Sequence, residues 1–409
     1  MRRLFLLVLL AGLVFGALTI SVYAQQPDNA ARKIVVFQED FVNEADQSAL
    51  VKEHGAEKIK HLRLINGMAV RLPPQAESAL LREAEVLRID DDLIIQASDR
   101  PDDSGKPDNN QGSKSLPAPQ PAEVLPWGAD RINADAVWPL ASSTLNATAS
   151  GIKVAIMDTG IYLKHPDLQS NIKGQVNTIN PTKSANDDNG HGTHVAGTVA
   201  AIDNDIGVIG VGPDISLYAV KVLNRNGSGW LSDLIEGLDW CINNKIQVIN
   251  MSLGASSDNQ SFHDAIIRAY EAGIVEVAAA GNNGATNGLV DYPARYPETI
   301  AVSAVGKNTN GSLYFASFSS SGPQVDLAAP GVNINSTYNN GYYKSLSGTS
   351  MAAPHVSGVV ALVIAIKGAI MMPDDMKAYL KSSGRTEYLP GLTSYQQGAG
   401  LVRADLAAQ

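Results

Sequence analysis

Residues 154–160 read Val154-Ala-Ile-Met-Asp158-Thr-Gly160, a short apolar run closed by an aspartate and a glycine. Four consecutive apolar residues suit a parallel strand buried on both faces. An acid at the carboxyl end of such a strand stands where open α/β sheets collect their ligands. Outward from this stretch, Val248-Ile-Asn-Met251 and residues 274–280 and 300–305 repeat the short apolar pattern, with helical stretches such as 192–201 and 232–243 between them. The alternation over residues 123–409 predicts one α/β domain, a largely parallel sheet with helices on both faces.

The chain ahead of that domain divides into three. Residues 1–24 combine Arg2 and Arg3, an apolar run over 4–20 and the small-residue end Val22-Tyr23-Ala24. They read as a secretory signal peptide cut after Ala24, the alternative being an uncut membrane anchor. No other segment reads as long and apolar enough to span. Residues 33–97 predict the order β-α-β-β-α-β: strands at 33–37 and 86–95, a hairpin over 58–72 turning near Asn66-Gly67, and helices at 44–54 and 75–84. That order is a small α+β ferredoxin-like unit. Residues 98–122 gather Pro, Gly, Asp, Ser and Gln with few aliphatics, and predict a flexible linker open to proteolysis.

The whole chain of 409 residues has 31 Lys and Arg against 41 Asp and Glu, a net charge of −10 that argues against nucleic acid as its partner. A hydrophobic share of 44% with 18% charged residues is that of a globular protein. The single cysteine, Cys241, excludes an internal disulfide framework and, inside a helical stretch, is expected to be a buried thiol.

Two further motifs join Asp158. Asn189-Gly-His191-Gly-Thr-His194-Val-Ala-Gly197 places a histidine in the first turn of a helix, and Ser347-Gly-Thr-Ser350-Met-Ala-Ala-Pro-His355 opens another with a serine. Asp, His and Ser are the groups of nucleophilic catalysis by a hydroxyl: the imidazole takes the serine proton, and the carboxylate fixes the imidazole tautomer. The chain order Asp, His, Ser differs from that of α/β hydrolases, and Gly348-Thr-Ser350-Met-Ala352 lacks the closing glycine of their nucleophile elbow. His191 and His194 sit three apart without the H-E-x-x-H pattern, which argues against a zinc centre.

The three motifs, with Leu217-Tyr-Ala-Val-Lys-Val-Leu223, Val248-Ile-Asn-Met-Ser-Leu-Gly254 and Ala278-Ala-Ala-Gly-Asn282, resemble the subtilisin-like serine proteases, the secreted bacterial subtilisins in particular. The resemblance covers about 123–409, and residues 33–97 resemble the family's inhibitory propeptide. It implies a secreted serine endopeptidase, extracellular or periplasmic, made as a self-processing monomeric zymogen that acts on protein and peptide substrates, uses its own propeptide as an intramolecular inhibitor and needs no membrane after signal cleavage.

By position, the resemblance makes Ser350 the nucleophile, His191 the general base, Asp158 its orienting partner and Asn282 the oxyanion donor. Gly227-Ser228-Gly229 and Ser252-Leu253-Gly254 match the segments that pair with a substrate strand. Asp291 falls at the floor of the pocket for the residue before the scissile bond (P1), where a carboxylate favours Lys or Arg; the other reading is a surface ion pair with Arg295. Structural calcium is implied at Asp167, Glu123 and Asn204, completed by the carbonyls of Ile202, Ile206 and Val208. A second, weaker cation site would use Asp326. Glu276 stands where the family pattern is aliphatic, so it needs a partner or a neutral form. The first cut is expected near Ser98, with Lys114-Ser115 as an alternative. Two rival readings, a permanently inhibited binding protein and a secreted esterase, conflict with the complete triad and with its order.

Overall fold

Alternation along each buried strand gives the central sheet two cores, one on each face. Val154 and Ile156 pack with Val356, Val359 and Val360, whereas their neighbours Ala155 and Met157 pack with Leu234 and Leu238. The computed structural model describes residues 30–98, 119–142, 145–285, 289–369 and 371–409. The expected signal segment 1–24, most of the expected linker and the Lys114-Ser115 bond lie outside the described residues.

The central sheet runs in the order Thr386–Glu387, Leu401–Val402, Leu327–Pro330, Ile300–Lys307, Val275–Ala279, Val248–Met251, Lys153–Asp158, Ser216–Lys221 and Ile172–Asn177. Its strands are parallel except for Thr386–Glu387 and for Leu313–Phe315, which pairs beside Ile300–Lys307. The helix Thr349–Lys367 lies almost wholly inside one core. It has the length and mean hydropathy of a spanning helix, which corrects the expectation that no segment beyond the amino terminus does, but its surface is covered by the sheet and by the helix His191–Ala200.

The amino-terminal unit has the strand order Glu57–Leu62, Gly67–Leu72, Ala31–Phe37, Val86–Asp91, all antiparallel, with helices Glu44–Glu53 and Pro74–Leu80. This is the ferredoxin-like order the sequence predicts. Asn43 caps the first helix through Ala45 N and Asp46 N, and Asn66 takes a left-handed φ of 47° at the hairpin turn. The strand expected over 86–95 breaks in two. Val86–Asp91 stays in the unit, and Ile94–Ala97 leaves it to pair with the larger domain.

Carboxylate contacts to the larger domain accompany the break. Asp92 accepts from Ser232 N and Ser232 Oγ, both at 2.9 Å, at the start of the helix Leu231–Asn243, and pairs with Arg32 at 2.8 Å. Asp90 accepts from Ser261 N at 3.1 Å and Ser261 Oγ at 2.6 Å at the start of Gln260–Glu271. Two carboxylates thus meet two positive helix ends. Lys60 adds Asp233 and Glu236 at 2.5 and 2.7 Å.

Glu276, in the strand Val275–Ala279, is fully buried, and neither carboxylate oxygen has a hydrogen-bond partner among the described residues. Of the two forms the sequence leaves open, it is therefore the neutral one. Burial, with the Glu298 charge as a smaller cause, holds its carboxyl well above the usual range. The native state keeps this proton while the unfolded chain gives it up above about pH 4.5, so the group costs stability as pH rises. Glu276→Leu is expected to be more stable than its parent by about 1–3 kcal/mol at pH 8. The gain should shrink towards pH 4, where both states are protonated, with a slope of at most about 1.4 kcal/mol per pH unit. Denaturant unfolding at pH 4.5 and 8, with Ser350→Ala in both chains to prevent self-digestion, checks this; equal gains at both values would refute it.

Candidate active site

Asp158 ends its strand with no exposed surface, and His191 and Ser350 stand at the first and second positions of their helices, both buried. His191 Nδ1 donates to Asp158 Oδ1 at 2.7 Å, and the same oxygen accepts from Thr159 N at 2.6 Å. With Nδ1–H committed to a carboxylate, Nε2 is left with the lone pair that a general base requires. The close approach depends on Gly192, where a Cβ would collide with Gly160 O beside Asp158.

The strand Ile94–Ala97 lies antiparallel between Ser228–Trp230 and Leu253–Gly254. Ile95 pairs with Gly229, Gln96 with Ser228 and Gly254, and Ala97 with Leu253. Ala97 N donates to Gly227 O at 2.9 Å and Ser98 N to Ser252 O at 3.1 Å. The residues read as substrate-pairing segments thus flank a strand of the chain itself.

That strand delivers Ser98 to the nucleophile. Ser350 Oγ is 2.7 Å from Ser98 O and 3.0 Å from Ser252 O. Asn282 Nδ2 donates to Ser98 O at 2.6 Å. Asn282 is oriented by Thr349, whose N and Oγ1 both donate to Asn282 Oδ1 at 3.1 Å, and Ser252 Oγ donates to Ser350 O at 2.8 Å. Sequence reasoning missed Thr349 as an orienting group, although it sits beside the nucleophile in Gly348-Thr-Ser350. The Ser98 carbonyl oxygen thus carries a hydroxyl and an amide donor, the kind of groups that acyl transfer places on a carbonyl oxygen.

Asp291 lines a cavity of about 390 Å³ next to Ser98, with Gly254, Ser256, Asn282 and Asn283. Asn283 Nδ2 donates to Asp291 Oδ1 at 2.8 Å, and burial raises the Asp291 carboxyl above its ordinary value. The alternative ion pair with Arg295 does not form: that guanidinium lies over the Tyr292 ring, 5.4 Å from its centroid.

The residues implied for calcium do come together. Asp167 accepts from Asn204 Nδ2 and Val208 N at 3.1 Å, and Glu123 Oε1 accepts from Asn204 N at 2.9 Å. Ile202 N donates to Asp167 O at 3.1 Å and Ile206 N to Asn204 Oδ1 at 3.2 Å. Burial pushes the Asp167 carboxyl up to about 7, with Glu123 adding to the rise, and Glu123 is raised too, by burial and by Asp203 and Asp205. Crowded, desolvated acid of this kind fits a hard cation. Among the described residues no group of three or more His, Cys, Asp or Glu is placed to hold a metal, so such an ion would rely on amide and carbonyl oxygens.

The second cation site is corrected. Asp326 is held by Lys377 at 2.9 Å and Lys381 at 2.6 Å, and Lys377 Nζ also donates to Thr299 O at 2.8 Å and Pro297 O at 3.0 Å. An ammonium already fills this oxygen cage. The remaining histidines of the motifs bond to backbone: His355 Nδ1 to Met351 O at 2.8 Å, His165 Nε2 to Tyr342 O at 3.1 Å, and His194 Nε2 to Ile334 O at 2.9 Å. Burial pushes His165 and His355 down to about 4. Cys241 is buried, and its thiol is pushed up by burial.

Residues 149–400 match the model of the Subtilase family. The chain is 46% identical to the Thermostable alkaline protease of Halalkalibacterium halodurans over 70% of this chain and 74% of the relative. It is 37% identical to Subtilisin J of Geobacillus stearothermophilus over 99% of this chain and 97% of the relative, and 44% identical to Subtilisin Savinase of Lederbergia lenta over 70% of this chain and all of the relative. Fold, site and relatives define a serine endopeptidase, a hydrolase acting on protein substrates. The chain belongs to the subtilase family.

Proposed function

We propose that the chain is an exported subtilase zymogen that cuts its own Ser98–Asp99 bond and keeps residues 31–98 in its cleft as a propeptide. The placement of Ser98 O between Ser350 Oγ and Asn282 Nδ2 carries this reading. His191 Nε2 takes the proton from Ser350 Oγ as Oγ adds to the Ser98 carbonyl. Asn282 steadies the oxyanion, with the Ser350 N–H as the second donor. His191, held by Asp158, returns the proton to the departing Asp99 nitrogen, and water then releases Ser98 from the acyl-enzyme by the same exchange. The sequence of residues 1–24 supports an extracellular or periplasmic destination, and the enzyme acts as a monomer. A substrate chain then takes the place of Ile94–Ala97, and Asp291 favours Lys or Arg at P1.

Time-resolved mass analysis of the purified full chain tests this: a new amino terminus at Asp99 is expected. A first cut inside 33–97, or an uncut chain, would overturn it.

Calcium would be held by Asp167, Asn204 and Glu123 with the carbonyls of Ile202, Ile206 and Val208, and would supply charge balance to the acidic loop. That loop is already closed in the uncut chain: Val124 N donates to Gly207 O at 2.9 Å, Glu123 N to Asp205 O at 3.1 Å, and Gly207 N to Pro121 O at 2.8 Å. Calcium should therefore stabilise the uncut Ser350→Ala chain, by about 2.7 kcal/mol at a hundredfold excess over Kd. Calorimetry with and without calcium checks it. Asp167→Asn should lose the response, and a response confined to cut enzyme would refute it.

A further inference from the structure

We propose that Ser98 leaves the acidic P1 pocket unfilled so that the cut propeptide can be displaced by substrates carrying Lys or Arg at P1, Asp291 being the residue that tells the two apart. This rests on the self-processing reading above.

The main chain at Ser98 is fixed from both sides, through Ser98 N to Ser252 O and Ser98 O to Asn282 and Ser350. Its side chain is only a hydroxymethyl group. Beside it lies the cavity of about 390 Å³, lined by Ile94, Gln96 and Ala97 of the strand and by Gly254, Asn283 and Asp291 across from it. That volume is within the range of about 300–1,000 Å³ found for ligand pockets. Gly254 keeps the space open, since a Cβ there would lie 3.1 Å from Asp291 Cβ.

Among the described residues the Asp291 carboxylate accepts from the Asn283 amide, and the Arg295 guanidinium acts on it only through its charge while stacking on Tyr292. A half-desolvated carboxylate with one neutral donor gains most from a cation, and a lysine or arginine side chain entering past Gly254 supplies one. The propeptide's charged side-chain contacts lie elsewhere, at Asp90 and Asp92 on the two helix ends and at Lys60 on Asp233 and Glu236. Retention and P1 recognition are thus separated on this surface. A propeptide that also filled the pocket would combine them and leave slowly.

The test compares four full-length chains: the parent, Ser98→Arg, Asp291→Asn and the double variant. Mass analysis times the cut after residue 98. Two reporter peptides, with Arg or Phe at P1, time the delay from that cut to free activity and give kcat/KM. In the parent background, Ser98→Arg is expected to lengthen the delay about 10–100-fold, the weight of a hydrogen bond to a charged group. In the Asp291→Asn background it should not lengthen it. The Arg:Phe ratio of kcat/KM should fall by a similar factor in Asp291→Asn. An unchanged delay in Ser98→Arg, an equal lengthening in both backgrounds, or an Arg:Phe ratio indifferent to Asp291 would each overturn the proposal. An uncut parent chain would overturn the self-processing reading together with this one. A cut parent with an indifferent Asp291 would overturn this one alone.

Discussion

Ser350→Ala is expected to lower kcat on a peptide substrate by about 10⁶, the loss measured when the nucleophile of subtilisin is removed. The same variant should stay a single chain with its 98–99 bond intact, because the hydroxyl that would add to the Ser98 carbonyl carbon, its Oγ now 2.7 Å from Ser98 O, is the group removed. Its fold should persist, since the backbone carbonyl of residue 350 still accepts from Ser252 Oγ, and no core volume is lost. Kinetics on the purified protein, with intact mass, reads both effects at once. Activity within tenfold of the parent would refute Ser350 as nucleophile. An inactive variant that was nevertheless cut at 98–99 would point to another protease as the processing agent.

Asn282→Leu is expected to lower kcat by about 10²–10³, the cost measured in subtilisin itself for losing such a donor, with KM nearly unchanged. The split follows from where charge develops. The amide's bond to a neutral carbonyl is modest in the bound state and strengthens only as the oxygen becomes anionic, so the loss falls on the transition state. Thr349 makes the amide a fixed donor, because its N and Oγ1 both hold Asn282 Oδ1 and leave Nδ2 aimed at the substrate oxygen. Asn282→Asp should be at least as damaging. It keeps an acceptor for Thr349 but replaces the donor with a negative charge beside the developing oxyanion. Steady-state kinetics on one peptide separates the cases, and a loss confined to KM would refute the oxyanion role.

Much of the site was legible because each piece is local. A buried strand ending in Asp158, a helix opening at His191 and a helix opening at Ser350 are written in contiguous residues, and their chain order fixes the kind of triad. The amino-terminal unit was legible for the same reason, through the periodicity of its strands and the Asn66-Gly67 turn. The helix expected over 75–84 stops at Leu80, and the larger misreading, the continuous strand over 86–95, came from a distant contact. Asp92 turns the chain to reach Ser232, which no local pattern announces.

The sequence by itself determined the fold class, through short-range pattern, and it set out Asp158, His191 and Ser350 in three local motifs; the segments beside Ile94–Ala97 came from family resemblance. Only the tertiary structure decided which charges meet. It placed Ser98 against Ser350, filled the Asp326 cage with Lys377, left Glu276 without a hydrogen-bond partner among the described residues and laid the Arg295 guanidinium over Tyr292. Electrostatic pairing depends on distances of a few ångströms between residues far apart along the chain, and hydrophobic periodicity carries no record of those distances.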